Sequence, residues 1–203
     1  MRTPDLGMGK AVRLRHWRTD DLAPYRDWLR PHQEWHQWDG PYFPVISDDD
    51  ADAHVTRLGE IVTTQHGVAW AKTDDEIDER LPVARAVIAE AESDALVGTV
   101  SWHWESRETD WARMGITVFD PGLRGAGRGT EALSLWTTYL FNATDWRRLD
   151  YSTWSGNHAM VRVGEKLGFT VEGRFRQARV VRGEVFDSVV LGVLREEWRR
   201  SGQ

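Results

Sequence analysis

Asp120-Pro121-Gly122-Leu123-Arg124-Gly125-Ala126-Gly127-Arg128-Gly129-Thr130-Glu131-Ala132 is the stretch that decides the fold. A β-prone run, Ala112 to Phe119, ends just before it, and Leu133, Trp136, Thr137 and Leu140 follow at the spacing of one helix face. The order is strand, glycine-rich turn, amphipathic helix. Successive backbone N–H groups in such a turn, together with the partial positive charge of the helix N-terminus, make a concave site for an anion. Glycine is needed where a side chain would hold a phosphate away from the backbone. Each charge-assisted hydrogen bond to that anion is worth about 1.5–3 kcal/mol, and Arg124 and Arg128 can add bidentate contacts.

Two familiar phosphate motifs fail against this stretch. A nucleoside-triphosphate loop spaces its glycines as Gly122 and Gly127 are spaced, but Arg128-Gly129 stands where Lys-Ser/Thr is required. A dinucleotide fingerprint needs its third glycine one residue later than Gly129, and its acidic ribose partner would fall near Asp150, which begins a strand instead of ending one.

Outward from the turn, Val12 to Arg15 reads as a first strand. A short helix runs from Asp20 or Asp21 through Leu29, stopped before Pro31. Residues 31–47 hold Pro31, Gly40, Pro41 and Pro44 among aromatics and read as an irregular loop. A helix fits 48–66, with three aspartates at its positive N-terminus and Gly67 to end it. The acidic run 74–79 reads as a solvated loop. Strands follow at Val83–Ala91, Leu96–Glu105 and Ala112–Phe119. The helix after Gly129 precedes a strand Leu149–Trp154. Met160, Val163, Gly164 and Leu167 then mark a helix closed by Gly168, and two strands fit near 169–181 and 185–194. The fold class is a mixed α/β (α+β) arrangement around one sheet, spanning residues 1–203 as a single domain.

Composition narrows the chemistry. With 203 residues, 40% hydrophobic and 29% charged, the chain has the balance of a soluble globular protein. No apolar run is long enough to span a membrane, and no secretory signal opens the chain, so a cytoplasmic location without membrane contact is expected. The absence of cysteine removes disulfides, thiol nucleophiles and thiolate metal sites. The net charge of −6 argues against a nucleic-acid partner. His32 and His36 flank Glu34, but the order differs from a His-Glu-x-x-His zinc helix and no third ligand is evident, so no metal is expected.

A second motif follows the strand that ends at Trp154: Ser155-Gly156-Asn157-His158-Ala159-Met160, then Glu165-Lys166-Leu167-Gly168-Phe169. An Asn at that point either caps the next helix or hydrogen-bonds a ligand amide. Taken together, the two motifs resemble the GNAT superfamily of N-acetyltransferases. The first is carried by Arg124, Gly127 and Gly129, the second by Asn157, Ala159 and the run 165–169. Flanking stretches such as Leu96-Val97-Gly98-Thr99, Met114-Gly115-Ile116 and Glu172-Gly173-Arg174 are similar to the RimJ/RimL-like branch, and the resemblance is firm over about 83–198.

The resemblance implies a mostly antiparallel mixed sheet that splays open in its middle, with helices on both faces and acetyl-CoA in the splay as acyl donor. Ile116, Thr117 and Val118 would present backbone groups to the pantetheine arm. Arg124, Gly125, Ala126, Gly127, Arg128, Gly129 and Thr130 would bind the pyrophosphate, and Asn157 the amide region. The acceptor is then an amine, either a protein N-terminus or a small molecule, and relatives of this branch make a homodimer an open expectation. Two departures stand out. Many members carry a Tyr where this chain has Gly164, and many of this branch carry a carboxylate where it has Arg113. His103 is the leading base, because a histidine titrates in the useful range. By strict alternation Val97, Thr99, Ser101, His103 and Glu105 share one strand face, opposite Val100, Trp102 and Trp104. Trp35, Trp38 and Asp39, beside Tyr42 and Phe43, fall where the family builds its acceptor wall, and Trp102 joins them as an acceptor-side candidate; aromatic faces and a carboxylate suit a cationic amine. Two rival readings remain open at this level: an acyl-CoA-binding module of the same fold without turnover, and a dinucleotide-binding protein.

Overall fold

The computed structural model describes residues 5–39, 45–64 and 81–200. Tyr42, Phe43, Gly67 and the acidic run 74–79 lie outside these residues, as does the side chain of Asp39. Eight strands form one sheet: β1 (Gly7–Met8), β2 (Val12–Arg15), β3 (Arg85–Glu90), β4 (Leu96–Ser106), β5 (Trp111–Val118), β6 (Arg148–Trp154), β7 (Thr170–Val181) and β8 (Glu184–Leu194). Their spatial order is β1-β2-β3-β4-β5-β6-β8-β7. Every neighbouring pair is antiparallel except β5 and β6.

That exception creates the site. The parallel ladder holds only Trp111↔Arg148, Ala112↔Leu149 and Arg113↔Asp150. Past Arg113, residues 114–118 of β5 pair only with β4, and past Asp150, residues 151–154 of β6 pair only with β8. The sheet therefore opens into a wedge whose apex is the Arg113–Asp150 pair, as the resemblance implied.

Helices cover both faces. On one, α4 (Arg128–Ala143) buries Ala132, Leu133, Trp136, Leu140 and Phe141 against the main core, joined by α5 (His158–Lys166) through Met160 and Val163. On the other, α1 (Leu22–Trp28) and α3 (Asp48–Thr64) pack Tyr25, Ala51 and Leu58 against Val87, Ala89, Leu96 and Phe119. Fully burying one large apolar side chain stabilises by about 1.5–3 kcal/mol, so these two layers hold the halves of the wedge rigid.

Some elements depart from the sequence reading. The stretch read as a loop contains one helical turn, α2 (His36–Asp39), between its prolines. The two-residue β1 and the terminal α6 (Arg195–Arg200) are too short to show periodicity, and α6 buries only Trp198. A register shift opposite Ile88 and Ala89 sends Val97 into the same core as Val100, so strict alternation along β4 fails at that residue.

Candidate active site

The glycine turn is held open from behind. Asp120 accepts a hydrogen bond from the Gly122 backbone N–H through Oδ1 at 2.7 Å, fixing the chain as it leaves β5. Gly125 and Gly127 take positive φ angles of 82° and 83°. A Cβ placed at Gly125, Gly127 or Gly129 would meet no protein atom within 4 Å, so this backbone faces open space. Gly127 is the N-cap of α4 and no side chain caps it. The first N–H groups of a 16-residue helix are thus available to an anion. A cleft of about 500 Å³ lies alongside, lined by Gly9, Gly127, Thr130, Ser134 and Lys166. Its far wall is the β1–β2 turn, where Glu131 receives the backbone N–H groups of Lys10, Ala11 and Val12 at 2.6–2.9 Å.

The two arginines of the turn do not aim at this space. Arg124 donates from Nε to Val118 O, from Nη2 to Phe119 O, and from Nη1 to Glu34 Oε2 at 2.6 Å. Arg128 reaches Glu90 at 3.2 Å. The expectation of bidentate arginine contacts to an anion is corrected accordingly. Arg124 ties the end of β5 to the segment before α2, and what faces the open space at the turn is backbone.

Ile116, Thr117 and Val118 lie on the β5 arm of the wedge and are half-buried. Asn157 sits at the end of β6 as the N-cap of α5, its Oδ1 accepting from Met160 N at 3.2 Å. The carboxamide nitrogen has no hydrogen-bond partner among the described residues. Gly164 has a local reason. A side chain there would collide with the Tyr151 hydroxyl, which donates to Met160 O at 2.8 Å.

On the face covered by α1 and α3, the register lines up His103, Arg113 and Asp150 across β4, β5 and β6. Asp150 is fully buried. Its carboxylate receives Trp111 Nε1 at 2.6 Å, Arg113 Nε at 2.7 Å and Arg148 Nη2 at 3.2 Å. Arg113 Nη1 reaches Glu105 Oε1 at 2.6 Å, and His103 Nε2 stands 3.6 Å from the same oxygen. Glu105 and Asp150 were not singled out from sequence. The available signal was an acid set between Leu149 and Tyr151 in a buried strand, where an unpaired charge is prohibitively costly.

The aromatic segment closes the wide end of the wedge. Trp38 O accepts from Trp154 Nε1 at 3.0 Å, Trp38 Nε1 donates to Glu34 at 2.6 Å, and the Arg182 guanidinium lies over the Trp38 ring at 4.6 Å. Trp35 turns inward, its ring tilted against Phe119 at 5.4 Å and its Nε1 donating to Trp28 O. A smaller cleft of about 310 Å³ opens here, lined by Trp38, Trp154, His158, Arg182 and Phe186. Trp102 does not belong to this wall. It is buried on the α4 face against Trp104 and Trp146, with Nε1 donating to Val83 O at 3.0 Å. Alternation along β4 puts it on the side of the sheet away from His103.

Residues 11–170 match the model of the acetyltransferase (GNAT) domain. The chain belongs to the GNAT acetyltransferase family. Among relatives of this GNAT protein is the SPbeta prophage-derived uncharacterized N-acetyltransferase YokL of Bacillus subtilis, 26% identical over 129 residues, covering 64% of this chain and 70% of YokL. Solved GNAT structures share the fold. RimL, a ribosomal L7/L12 alpha-N-protein acetyltransferase in complex with coenzyme A, superposes with a TM-score of 0.69 at 19% identity, covering 94% of this chain and 98% of RimL. Spermidine N-acetyltransferase from Vibrio cholerae, in complex with CoA and spermine, gives 0.69 at 16% identity over 94% and 99% of the two chains. The protein is thus a GNAT-family N-acetyltransferase, using acetyl-CoA to acetylate amines.

Proposed function

We propose that this enzyme moves an acetyl group from acetyl-CoA to a primary amine, on a protein N-terminus or a small molecule, by direct attack within a ternary complex. One observation carries the reading: the β5–β6 wedge opens beside an uncapped, glycine-lined helix N-terminus, so a phosphate-bearing acyl donor has both an anchor and a slot. The open space in front of Gly125, Gly127 and Gly129 fits a pyrophosphate cradled by the backbone of residues 125–130. Ile116–Val118 would line one side of the arm and Asn157 the other. When bound, the donor supplies an activated thioester.

The chain's own residues then have two tasks. The first is electrostatic: a β5 backbone N–H on the wedge side of the strand, nearer the apex than the arm-lining Ile116–Val118, would receive the charge that develops on the acyl oxygen. The second is to take the proton of the attacking amine, and His103 has the position for it, exposed on the face of the sheet at the apex of the wedge. As the N–C bond forms and the C–S bond breaks, the amine proton passes to the imidazole and the electron pair leaves with sulfur. A thiol has an ordinary pKa of about 8.5, so the departing thiolate is tolerable without a dedicated acid. Trp38 would stand at the acceptor side, with Asp39 next to it in the chain, while Trp35, turned inward toward Phe119, would brace the segment. The aromatic surface of Trp38 beside Trp154 and Phe186 favours an acceptor with an apolar or cationic body.

Substitution His103→Ala tests the base. Turnover should fall by about 10²–10⁴-fold with the KM for acetyl-CoA unchanged. Retention of most of the activity would remove His103 from the mechanism.

A further inference from the structure

A chain of hydrogen bonds crosses the mouth of the wedge. On the β5 arm, Arg124 donates to the carbonyls of Val118 and Phe119 and, from Nη1, to Glu34 Oε2 at 2.6 Å. The other oxygen of Glu34 accepts from Trp38 Nε1 at 2.6 Å. Trp38 O then accepts at 3.0 Å from Nε1 of Trp154, the last residue of β6. Among the described residues the two arms share no ladder at this end, since 114–118 pair only with β4 and 151–154 only with β8. The strap from Glu34 to Trp38 therefore joins what the sheet leaves apart, and Glu34 is its middle link.

A carboxylate beside an amine site invites a reading as ligand of the ammonium group, but Glu34 is committed elsewhere. Each of its oxygens holds one donor, and the Arg182 guanidinium stands 3.8 Å from Oε1. Burial alone would raise its carboxyl. The hydrogen bonds from Trp38 and Arg124, with the charges of Arg124 and Arg182, outweigh burial and hold it below the ordinary carboxylate range. Resting on the reading of Trp38 as acceptor wall, we infer that Glu34 is a positioning residue for the amine: it holds the Trp38 ring across the mouth of the wedge and so sets the KM for the acceptor. The single turn of α2 is marginal by itself, so the place of the ring depends on its partners. Arg182, in the turn between β7 and β8, covers the same ring at 4.6 Å. Arg124 acts one step further out, by fixing Glu34 to the end of β5. Its guanidinium thus braces the acceptor side from a turn whose backbone would take the donor.

Steady-state kinetics test this, with short peptides bearing a free N-terminus and spermidine as the amines. In Glu34→Gln one amide oxygen cannot accept both donors, and the amide N–H groups face one of them. The KM for the amine should rise about tenfold while the KM for acetyl-CoA moves by less than about twofold. Trp38→Ala should raise the amine KM at least as much. An amine KM unchanged in Glu34→Gln but raised in Trp38→Ala would overturn the inference and leave the wall standing; a KM unchanged in both would remove the wall and the inference with it. Equal losses toward the amine and toward CoA, the latter read by calorimetry, would make Glu34 a general structural residue and also overturn it. Indole NMR judges the strap without turnover, with Trp38 and Trp154 assigned by the signals lost in Trp38→Phe and Trp154→Phe. Both signals should shift in Glu34→Gln, that of Trp38 upfield as its carboxylate acceptor is lost. A Trp154 signal that stays in place would overturn the inference, because β6 would then hold Trp38 without Glu34.

Discussion

Arg113 and Asp150 are the last residues joined across the parallel β5–β6 ladder, and the guanidinium of one closes on the fully buried carboxylate of the other at 2.7 Å. The charged pair therefore sits where the sheet begins to part. Three residues give Asp150 four hydrogen bonds there. Removing one partner from such a site leaves an uncompensated buried charge. Arg113→Ala, which takes two of its hydrogen bonds from the wholly buried Asp150 carboxylate, should lose about 3–5 kcal/mol of folding stability by urea denaturation. An unchanged midpoint would mean that the wedge is held by packing alone.

The glycine turn separates two physical effects. Gly127 has φ 83°, so Gly127→Val strains the backbone as well as blocking the approach of a ligand, and the strain alone costs on the order of 1–3 kcal/mol. Gly129 has open space and an ordinary φ, so Gly129→Val should leave the melting temperature near that of the wild type. Both variants should bind CoA much more weakly in calorimetry. Wild-type affinity in Gly129→Val would show that no phosphate comes near this backbone.

Asn157 carries two readings that substitution can split. Its Oδ1 caps α5 through Met160 N. Asp caps as well as Asn does, but it has no amide N–H to donate. Asn157→Asp should keep the melting temperature and lose CoA affinity, whereas Asn157→Ala should lose both, with about 1 kcal/mol of stability gone. If Asn157→Asp binds CoA as tightly as the wild type, the residue is a cap and nothing more.

His54 gives the protein an acid-sensitive window. Burial, and then the charges of Arg85 and Arg57, push the imidazole down from 6.5 to about 4. The unfolded chain therefore takes up this proton first as pH falls. The stability tied to His54 is constant above about 6.5 and declines as pH drops from 6.5 towards 4. His54→Gln should flatten that part of the stability profile, followed by urea midpoints at several pH values. Parallel profiles for the two proteins would refute the assignment.

The wedge was legible because its makers are local. The turn at 120–132 announces itself through glycine spacing and the helix face that follows, and β4 to β8 appear as β-prone runs of the right length. What the sequence hid is pairwise. Arg124 looks like an anion ligand in a string of residues, yet its guanidinium goes to two carbonyls and to Glu34, ninety positions away. Trp102 looks like part of an aromatic wall until the strand face is known. Glu105, Arg113 and Asp150 come together only through the registers of β4, β5 and β6, which periodicity within one strand cannot supply.

Transfer itself is the most direct test of the account. The purified protein is incubated with acetyl-CoA and a panel of amines: short peptides with free N-termini, spermidine, and small-molecule primary amines. Free thiol is recorded alongside the mass of each amine. The account expects at least one amine to gain a single acetyl group in step with thiol release, and the same reaction to collapse in His103→Ala. Tight CoA binding with no acetylated amine across the panel, and thiol release no faster than without enzyme, would contradict it and leave an acyl-CoA-binding module in its place.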